Sequence, residues 1–198
     1  MEPDLSIVIL SWNVRDLLAA CLRSLPDSAG EWWGRAEVLV VDNASTDGSA
    51  EMVRRDFPGV RLLALARNLG FSGGNNAGIR AARGKYVLLL NPDTVALSGS
   101  IATLATYMEA HDDTGITGPR LLNPDGTLQP SRRRFPTIAT ALVESTPLQR
   151  WLGDLPAIRR FYMLDRPEGE TQQVDWLSGA ALMCRREALE QAGLFDPG

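Results

Sequence analysis

Short apolar runs alternate with amphipathic stretches along the first half of the chain. Leu5–Leu10 (LSIVIL) is apolar and β-branched, which suits a strand buried on both faces. In Arg15–Leu25 the residues Leu17, Leu18, Cys21, Leu22 and Leu25 share one helical stripe, and Pro26 is expected to stop that helix. Glu37–Val41 (EVLVV) predicts a second buried strand ending at Asp42. A helix is expected over Gly48–Phe57, closed by Pro58 and Gly59, followed by a third strand over Val60–Ala66. Ser72 is placed to cap a helix running to about Arg83, with Gly84 in the usual C-terminal glycine position. Tyr86–Leu90 (YVLLL) predicts a fourth strand ending at Asn91-Pro92-Asp93, and Ser98 is expected to cap a helix reaching about His111.

This alternation is the pattern of an α/β fold, a mostly parallel central sheet flanked by helices. After Thr117 the pattern loosens. Asn123-Pro124-Asp125-Gly126 predicts a turn in a small hairpin between Leu121-Leu122 and Thr127-Leu128. Residues from about 130 to 172 lack clear periodicity and read as a functional loop region. Val174–Cys184 returns to strand character, and Arg185–Ala192 predicts a short helix closed by Gly193. The length of 198 residues fits one domain, with a first half over 1–119 and a second over 120–198.

Composition narrows the function classes. The net charge is -4 and the pI near 5.1, which argues against non-specific nucleic-acid binding. No apolar run approaches the ~18 residues of a membrane span. The opening MEPDLSIVIL has no basic stretch ahead of its apolar run, so it reads as a strand and not as a secretory signal. Cys21 and Cys184 have no metal-ligand spacing, in keeping with a reducing, cytoplasmic setting.

In open α/β sheets, ligands bind beyond the carboxyl ends of the strands. Three polar clusters are predicted there: Ser11-Trp12-Asn13, Asp42-Asn43-Ala44-Ser45 and Asn91-Pro92-Asp93. Trp12 can stack on a nucleobase or serve as a rim aromatic. Asp42 and Asn43 can bond a base and ribose, or belong to a turn in which Ser45 or Asp47 caps the next helix. Asp93 can hold a hard divalent cation that grips a diphosphate, or terminate an ordinary Asx turn. Gly70, Gly73, Gly74 and Gly78 near a helix start, with Arg67 beside them, suit either close approach of an anion or close helix–sheet packing. The sole histidine, His111, falls at a helix end, where capping or exposure is expected. Arg132-Arg133-Arg134 followed by Phe135 can meet phosphate or an anionic membrane, or lie solvated.

The segments SIVILSWN, VLVVDNASTDGS, ARNLGFSGGNNAGIRAARGKYVLLLNPDT and VDWLSGAALMCRREALEQAGLFDPG, in this order, resemble family-two glycosyltransferases of the GT-A fold. The likeness is to the bacterial rhamnosyltransferase-like branch and runs from about Leu5 to the end. It implies transfer of a sugar from a nucleotide-diphosphate donor to a glycan or lipid-linked acceptor, metal-assisted and inverting, in cell-surface polysaccharide synthesis. By resemblance, Trp12 and Asp42 recognise the base with Asn13 and Asn43 nearby, and Arg67, Asn68, Gly74 and Asn75 line the donor pocket. Asn91 stands where the family carries the first carboxylate of its DxD motif, and Asp93 would hold Mg2+ or Mn2+. Trp176, Ser178 and Gly179 match the segment beside the transferred sugar and the acceptor.

The family pattern continues beyond an FDPG-like stretch to an acidic motif that supplies the general base. By that resemblance the base is expected beyond Gly198, and the chain is expected to bind donor while transferring sugar poorly alone. Asp175 and Asp196 are carboxylates that do not match the family's position. The resemblance also implies a cytoplasmic location at the inner face of the membrane, with peripheral membrane contact left open. Three rivals are weighed. A nucleotidyltransferase would want a Gly-rich basic loop after the first strand, where this chain has Ser11-Trp12-Asn13-Val14-Arg15. A dehydrogenase would want GxGxxG there. A nucleotide-binding module without transfer activity would show binding alone.

Overall fold

The computed structural model describes residues 2–144, 146, 155–167 and 169–196. Two compact units emerge: one runs to Pro119 and resumes at Gly179, the other is Arg120–Ser178. In the first, β1 (Leu5–Ser11), β2 (Ala36–Asp42), β3 (Arg61–Ala64), β4 (Tyr86–Leu90), β5 (Ile116–Thr117) and β10 (Ala181–Arg185) form one sheet in the order β3-β2-β1-β4-β10-β5. β1 to β4 are parallel, whereas β10 is antiparallel to both β4 and β5. In the second unit, β6 (Leu121–Leu122) pairs with β7 (Leu128–Gln129), and β8 (Arg132–Arg133) with β9 (Trp176–Leu177). That unit also holds α5 (Ile138–Glu144) and α6 (Pro156–Phe161).

Period-two alternation sorts the strand residues onto two covered faces. Leu5, Ile7 and Ile9 of β1, with Val38, Val40, Tyr86, Leu88 and Leu90, pack under α1 (Arg15–Ala29), α2 (Ser49–Asp56) and α4 (Ser100–Ala110). Val8, Leu39, Val41, Val87 and Leu89 face α3 (Gly70–Ala81) and α7 (Arg186–Ala192). Close approach of α3 depends on its glycines. A Cβ on Gly78 would lie 2.4 Å from Val8 Cγ1, and one on Gly74 2.4 Å from Leu10 Cδ1. Among the described residues no helix is long and apolar enough to cross a membrane.

Several expected boundaries move, each for a physical reason. α1 does not stop at Pro26 but runs on to Ala29. The proline ring is exposed, and burying Leu25, Ser28 and Ala29 offsets the lost backbone bond. α3 begins at Gly70, not after a Ser72 cap: Asn68 Oδ1 accepts the Gly70 amide, and Asn43 Oδ1 accepts the amide of Leu69 just ahead of the helix. Gly84 does not take the left-handed conformation of a helix-closing glycine. It lies where a Cβ would stand 2.6 Å from the Ser6 backbone nitrogen. Gly99 (φ 71), not Ser98, precedes α4.

Val174–Cys184 is not one strand: β9 belongs to the second unit and β10 to the main sheet. Part of the 130–172 stretch is regular, in β8, α5 and α6, while residues 145, 147–154 and 168 lie outside the described residues. Pro197 and Gly198 lie outside them too.

Candidate functional site

β1, β2 and β4 end at the same edge of the sheet, and the three polar clusters gather there. Ser11 and Asp42 are register partners on adjacent strands. Each follows the parity of the face covered by α1 and α2, so their side chains share that face. Both residues are buried. Ser11 Oγ and Asp42 Oδ1 are also buried atoms with no hydrogen-bond partner. Asp42 Oδ2, in contrast, accepts a bond from the Ser45 amide at 3.2 Å. A buried unsatisfied polar group costs about 1–3 kcal/mol, so two neighbours in one corner are unusual. Trp12 follows directly and is 56% exposed.

The loops around this corner are tightly braced. The Asn13 amide donates to Ser45 Oγ at 3.0 Å, and Asn13 Oδ1 accepts from the Thr46 amide at 2.8 Å. Asp47 Oδ2 accepts the Arg15 amide, and its Oδ1 accepts both the amide and the hydroxyl of Ser49. Burial alone would raise the Asp47 carboxyl. The Ser49 hydroxyl and the Arg15 and Ser49 amides outweigh that and hold it below its ordinary value. Of the two capping candidates, Asp47 therefore supports the start of α2, while Ser45 braces Asn13. Asn13 (φ 54) and Ala44 (φ 63) both sit in the left-handed region, at a cost of about 1–3 kcal/mol each, typical of ligand-facing turns.

Asn43 points to the opposite face and holds the glycine-rich loop. Its Nδ2 donates to Asn68 Oδ1 at 2.8 Å and to the Gly70 carbonyl at 3.3 Å, and its Oδ1 accepts the Leu69 amide at 2.8 Å. Asn68 Oδ1 also accepts the Gly70 amide at 2.7 Å. Asn75 is buried and donates to the Phe71 carbonyl. Arg67 is exposed at the mouth of this loop.

Asn91 is anchored by its backbone, the amide donating to the Ala180 carbonyl at 2.9 Å and the carbonyl accepting from Thr94. Gly179 stands next to Ala180, beside this turn. Asp93 is exposed, and its charge reaches the buried Cys21 beneath. Burial first, and Asp93 second, push the Cys21 thiol up to about 12. Among the described residues no three His, Cys, Asp or Glu side chains converge on one point. A cation here would rely on Asp93 and on oxygens brought by a ligand, the arrangement magnesium accepts with substrate phosphates.

In the second unit, Trp176 of β9 faces Arg133 of β8. The Arg133 guanidinium lies 4.7 Å from the Trp176 ring centre, 5.1 Å from Tyr162 and 5.8 Å from Phe161. The Ser178 amide donates to the Ser131 carbonyl. Arg132 bonds the Pro167 carbonyl, and Arg134 pairs with Asp165 at 3.1 Å. All three arginines are thus engaged within the unit instead of merely solvated. Asp175 accepts the Phe135 amide. His111 Nδ1 lies 2.8 Å from the Tyr107 carbonyl at the end of α4, the capping role expected of it.

A parallel sheet with its polar clusters at the carboxyl edge is shared by many enzymes; the match to known sequences decides among them. The profile described as glycosyl transferase family 2 aligns with residues 6–193. The chain belongs to this family. An N-acetylglucosaminyl-diphospho-decaprenol L-rhamnosyltransferase of Mycobacterium tuberculosis is 32% identical over 176 residues, covering 80% of this chain and 55% of its own length. A low-salt glycan biosynthesis hexosyltransferase of Haloferax volcanii is 29% identical over 200 residues, covering 99% of this chain and 57% of its own. The chain thus spans about half the length of these relatives.

Solved structures agree on the GT-A fold. A mannosyltransferase from Pyrobaculum calidifontis, in complex with GDP-Man and Mn2+, superposes with a TM-score of 0.65 at 19% identity, over 100% of this chain and 48% of that one. S. aureus TarS in complex with UDP-GlcNAc gives 0.61 at 18% identity, over 99% and 49%. Within the family-2 framework, the sequence pointed to the three strand-end clusters and the glycine-rich loop. It did not single out the Ser11 hydroxyl, whose burial becomes visible only once β2 lies alongside, or Phe71.

Proposed function

We propose that this family-2 chain binds a nucleotide-diphosphate sugar at the carboxyl edge of its sheet, for inverting transfer of the sugar to a glycan or lipid-linked acceptor in cell-surface polysaccharide synthesis. The observation that carries this reading is the pair of unpartnered buried oxygens, Ser11 Oγ and Asp42 Oδ1, beside the exposed Trp12. A nucleobase stacked on Trp12 would bring an N–H to the Asp42 carboxylate and end its isolation. Asn43 and Asn68 hold the loop that leads to the Arg67 guanidinium and the first turn of α3, where a diphosphate is favoured.

The residues fit a divalent cation, Mg2+ or Mn2+, held by Asp93 together with diphosphate oxygens. Held there, such a cation would supply positive charge against the charge developing on a leaving diphosphate. Asn91 fixes the turn through its backbone, so the missing first carboxylate of the DxD motif alters the cation's ligands and not the shape of the turn. Trp176, Ser178 and Gly179 are assigned to the acceptor side, and the general base to none of the described carboxylates. The same reading places the reaction in the cytoplasm, at the inner face of the membrane where a lipid-linked acceptor would be met.

Calorimetric titration with UDP, dTDP and GDP, with and without Mn2+, tests the proposal directly. Binding that requires Mn2+ and that Asp93→Ala weakens about tenfold or more is the expected result. Absence of binding by all three diphosphates refutes the donor site, and binding indifferent to Asp93→Ala refutes the cation's place in it.

A further inference from the structure

Phe71 stands in the first turn of α3 and is 53% exposed, although it lies at the ligand edge of the sheet. Isolated exposed aromatics are common on protein surfaces. This one packs against a second ring. Its ring meets Phe195 edge-on, with centroids 6.1 Å apart and planes at 66°. The tip of the ring lies near Gly179, where an added Cβ would stand 3.8 Å from Phe71 Cζ. Gly179 precedes Ala180, whose carbonyl accepts the Asn91 amide. The ring therefore reaches toward the turn that carries Asp93.

Phe195 is itself fixed at some cost. Gly193 (φ 93) and Leu194 (φ 67) take left-handed conformations in succession, and for leucine this is strained. The turn delivers the Phe195 backbone to Asn76, which is buried in α3. Asn76 Nδ2 donates to the Phe195 carbonyl at 2.7 Å, and Asn76 Oδ1 accepts the Phe195 amide at 3.0 Å. A side-chain amide that satisfies both backbone groups of one residue sets that residue's position closely. A strained turn and a buried two-way bond thus hold one aromatic ring against another that remains open to solvent.

We propose that Phe71 is the platform on which the apolar face of the donor's hexopyranose rests, a specificity-determining residue for the sugar and not for the nucleotide. The inference rests on the donor reading above and extends it. A diphosphate held at Asp93 would bring its sugar into the neighbourhood of the turn that Asn91 and Ala180 close, which the Phe71 tip approaches through Gly179. An aromatic face suits the C–H surface of a pyranose and gives a free diphosphate little. Asn76 and Phe195 act as positioning residues that keep the ring in place before the ligand arrives.

The test compares Kd values, in Mn2+, for three pairs of probes: UDP with UDP-GlcNAc, dTDP with dTDP-rhamnose, and GDP with GDP-mannose. Phe71→Ala is expected to weaken the preferred nucleotide sugar about tenfold, the effect of one aromatic contact, while its parent diphosphate shifts less than about twofold. Phe195→Ala, which leaves Phe71 present but unsupported, is expected to move the same ratio in the same direction by about threefold. Equal weakening of sugar nucleotide and diphosphate would make Phe71 a support of the α3 start and overturn the platform. An unchanged ratio in both variants overturns it as well. A wild-type chain that binds no diphosphate refutes the donor reading itself, so the two failures are told apart.

Discussion

Asn43 offers the sharpest test of how the site is built. The resemblance places it near the nucleotide, yet its amide is fully engaged with the loop ahead of α3. In Asn43→Ala, two good bonds at 2.8 Å and one long one at 3.3 Å are lost. A net value near 1 kcal/mol for each good bond, and less for the long one, gives a loss of about 2–3 kcal/mol. The exposed partners, Asn68 and Gly70, recover some solvation, which favours the lower figure. With a urea m-value of about 2 kcal/mol/M, the unfolding midpoint should fall by about 1 M with m unchanged.

Asn43→Asp separates the roles further. The carboxylate still accepts the Leu69 amide but turns an oxygen toward Asn68 Oδ1 and the Gly70 carbonyl. At neutral pH it should cost at least as much as alanine, and part of the loss should return as acid protonates the new carboxyl. Urea titrations of both variants, run alongside UDP binding in Mn2+, make the measurement. A midpoint for Asn43→Ala within about 0.2 M of wild type would show that the bonds do not anchor the loop. If nucleotide affinity collapsed in that same stable variant, the amide would be a direct ligand contact instead.

Two further expectations concern groups to which the donor reading gives no ligand contact. Burial favours a raised Glu37 carboxyl. The bonds it accepts from the Ser6 hydroxyl and from the Arg83 side chain and amide, with the Arg83 charge, bring it below its ordinary 4.5. A depressed carboxyl contributes stability that is complete above its unfolded value and is lost as pH falls through the folded one. Wild type should therefore lose stability below about pH 4.5 more steeply than Glu37→Gln, and parallel curves between pH 6 and 3 would contradict the assignment. Both cysteine thiols are pushed up to about 12, Cys184 by burial and Cys21 by burial with the Asp93 charge added. Roughly one molecule in ten thousand then carries a given thiolate at pH 8, so a disulfide reagent should label neither residue until urea is added. Rapid native labelling of one thiol would show that its pocket opens.

The fold was legible where local signals carry both ends of an element. β4 is read to the residue because Gly84-Lys85 and Asn91-Pro92 bracket an unbroken apolar run. The α7 end is marked by Gly193 alone. The start of α3 was not legible, because Asn43, far away in sequence, accepts the amide of Leu69 just ahead of the helix and donates to the Gly70 carbonyl. Pro26 misled for a related reason: only the folded structure shows its ring in solvent and Leu25 and Ala29 in the core. The run from Val174 to Cys184 reads as one strand because apolar residues dominate both of its halves. Their partners, β8 and β4, are chosen by tertiary pairing that no local pattern encodes.

The site was legible as residue types and illegible as a division of labour. Asn13, Asn43, Asn68 and Asn75 all occupy plausible ligand positions in sequence, and each is already engaged with backbone or with another side chain. Ser11 Oγ and Asp42 Oδ1 lack such partners, and Trp12, Arg67 and Asp93 are exposed around the same edge. Engagement is what separates framework from contact surface. A polar group that has already replaced water with protein gains little from a ligand, whereas a buried oxygen without a partner gains a full hydrogen bond. Since Ser11 and Asp42 are register partners on one face, a single ligand edge can satisfy both, and neither can be relieved by a shift of the strands that hold it. The asparagines therefore set the geometry, and on the proposed donor reading this pair, with the neighbouring Trp12, is where a ligand would make its contacts.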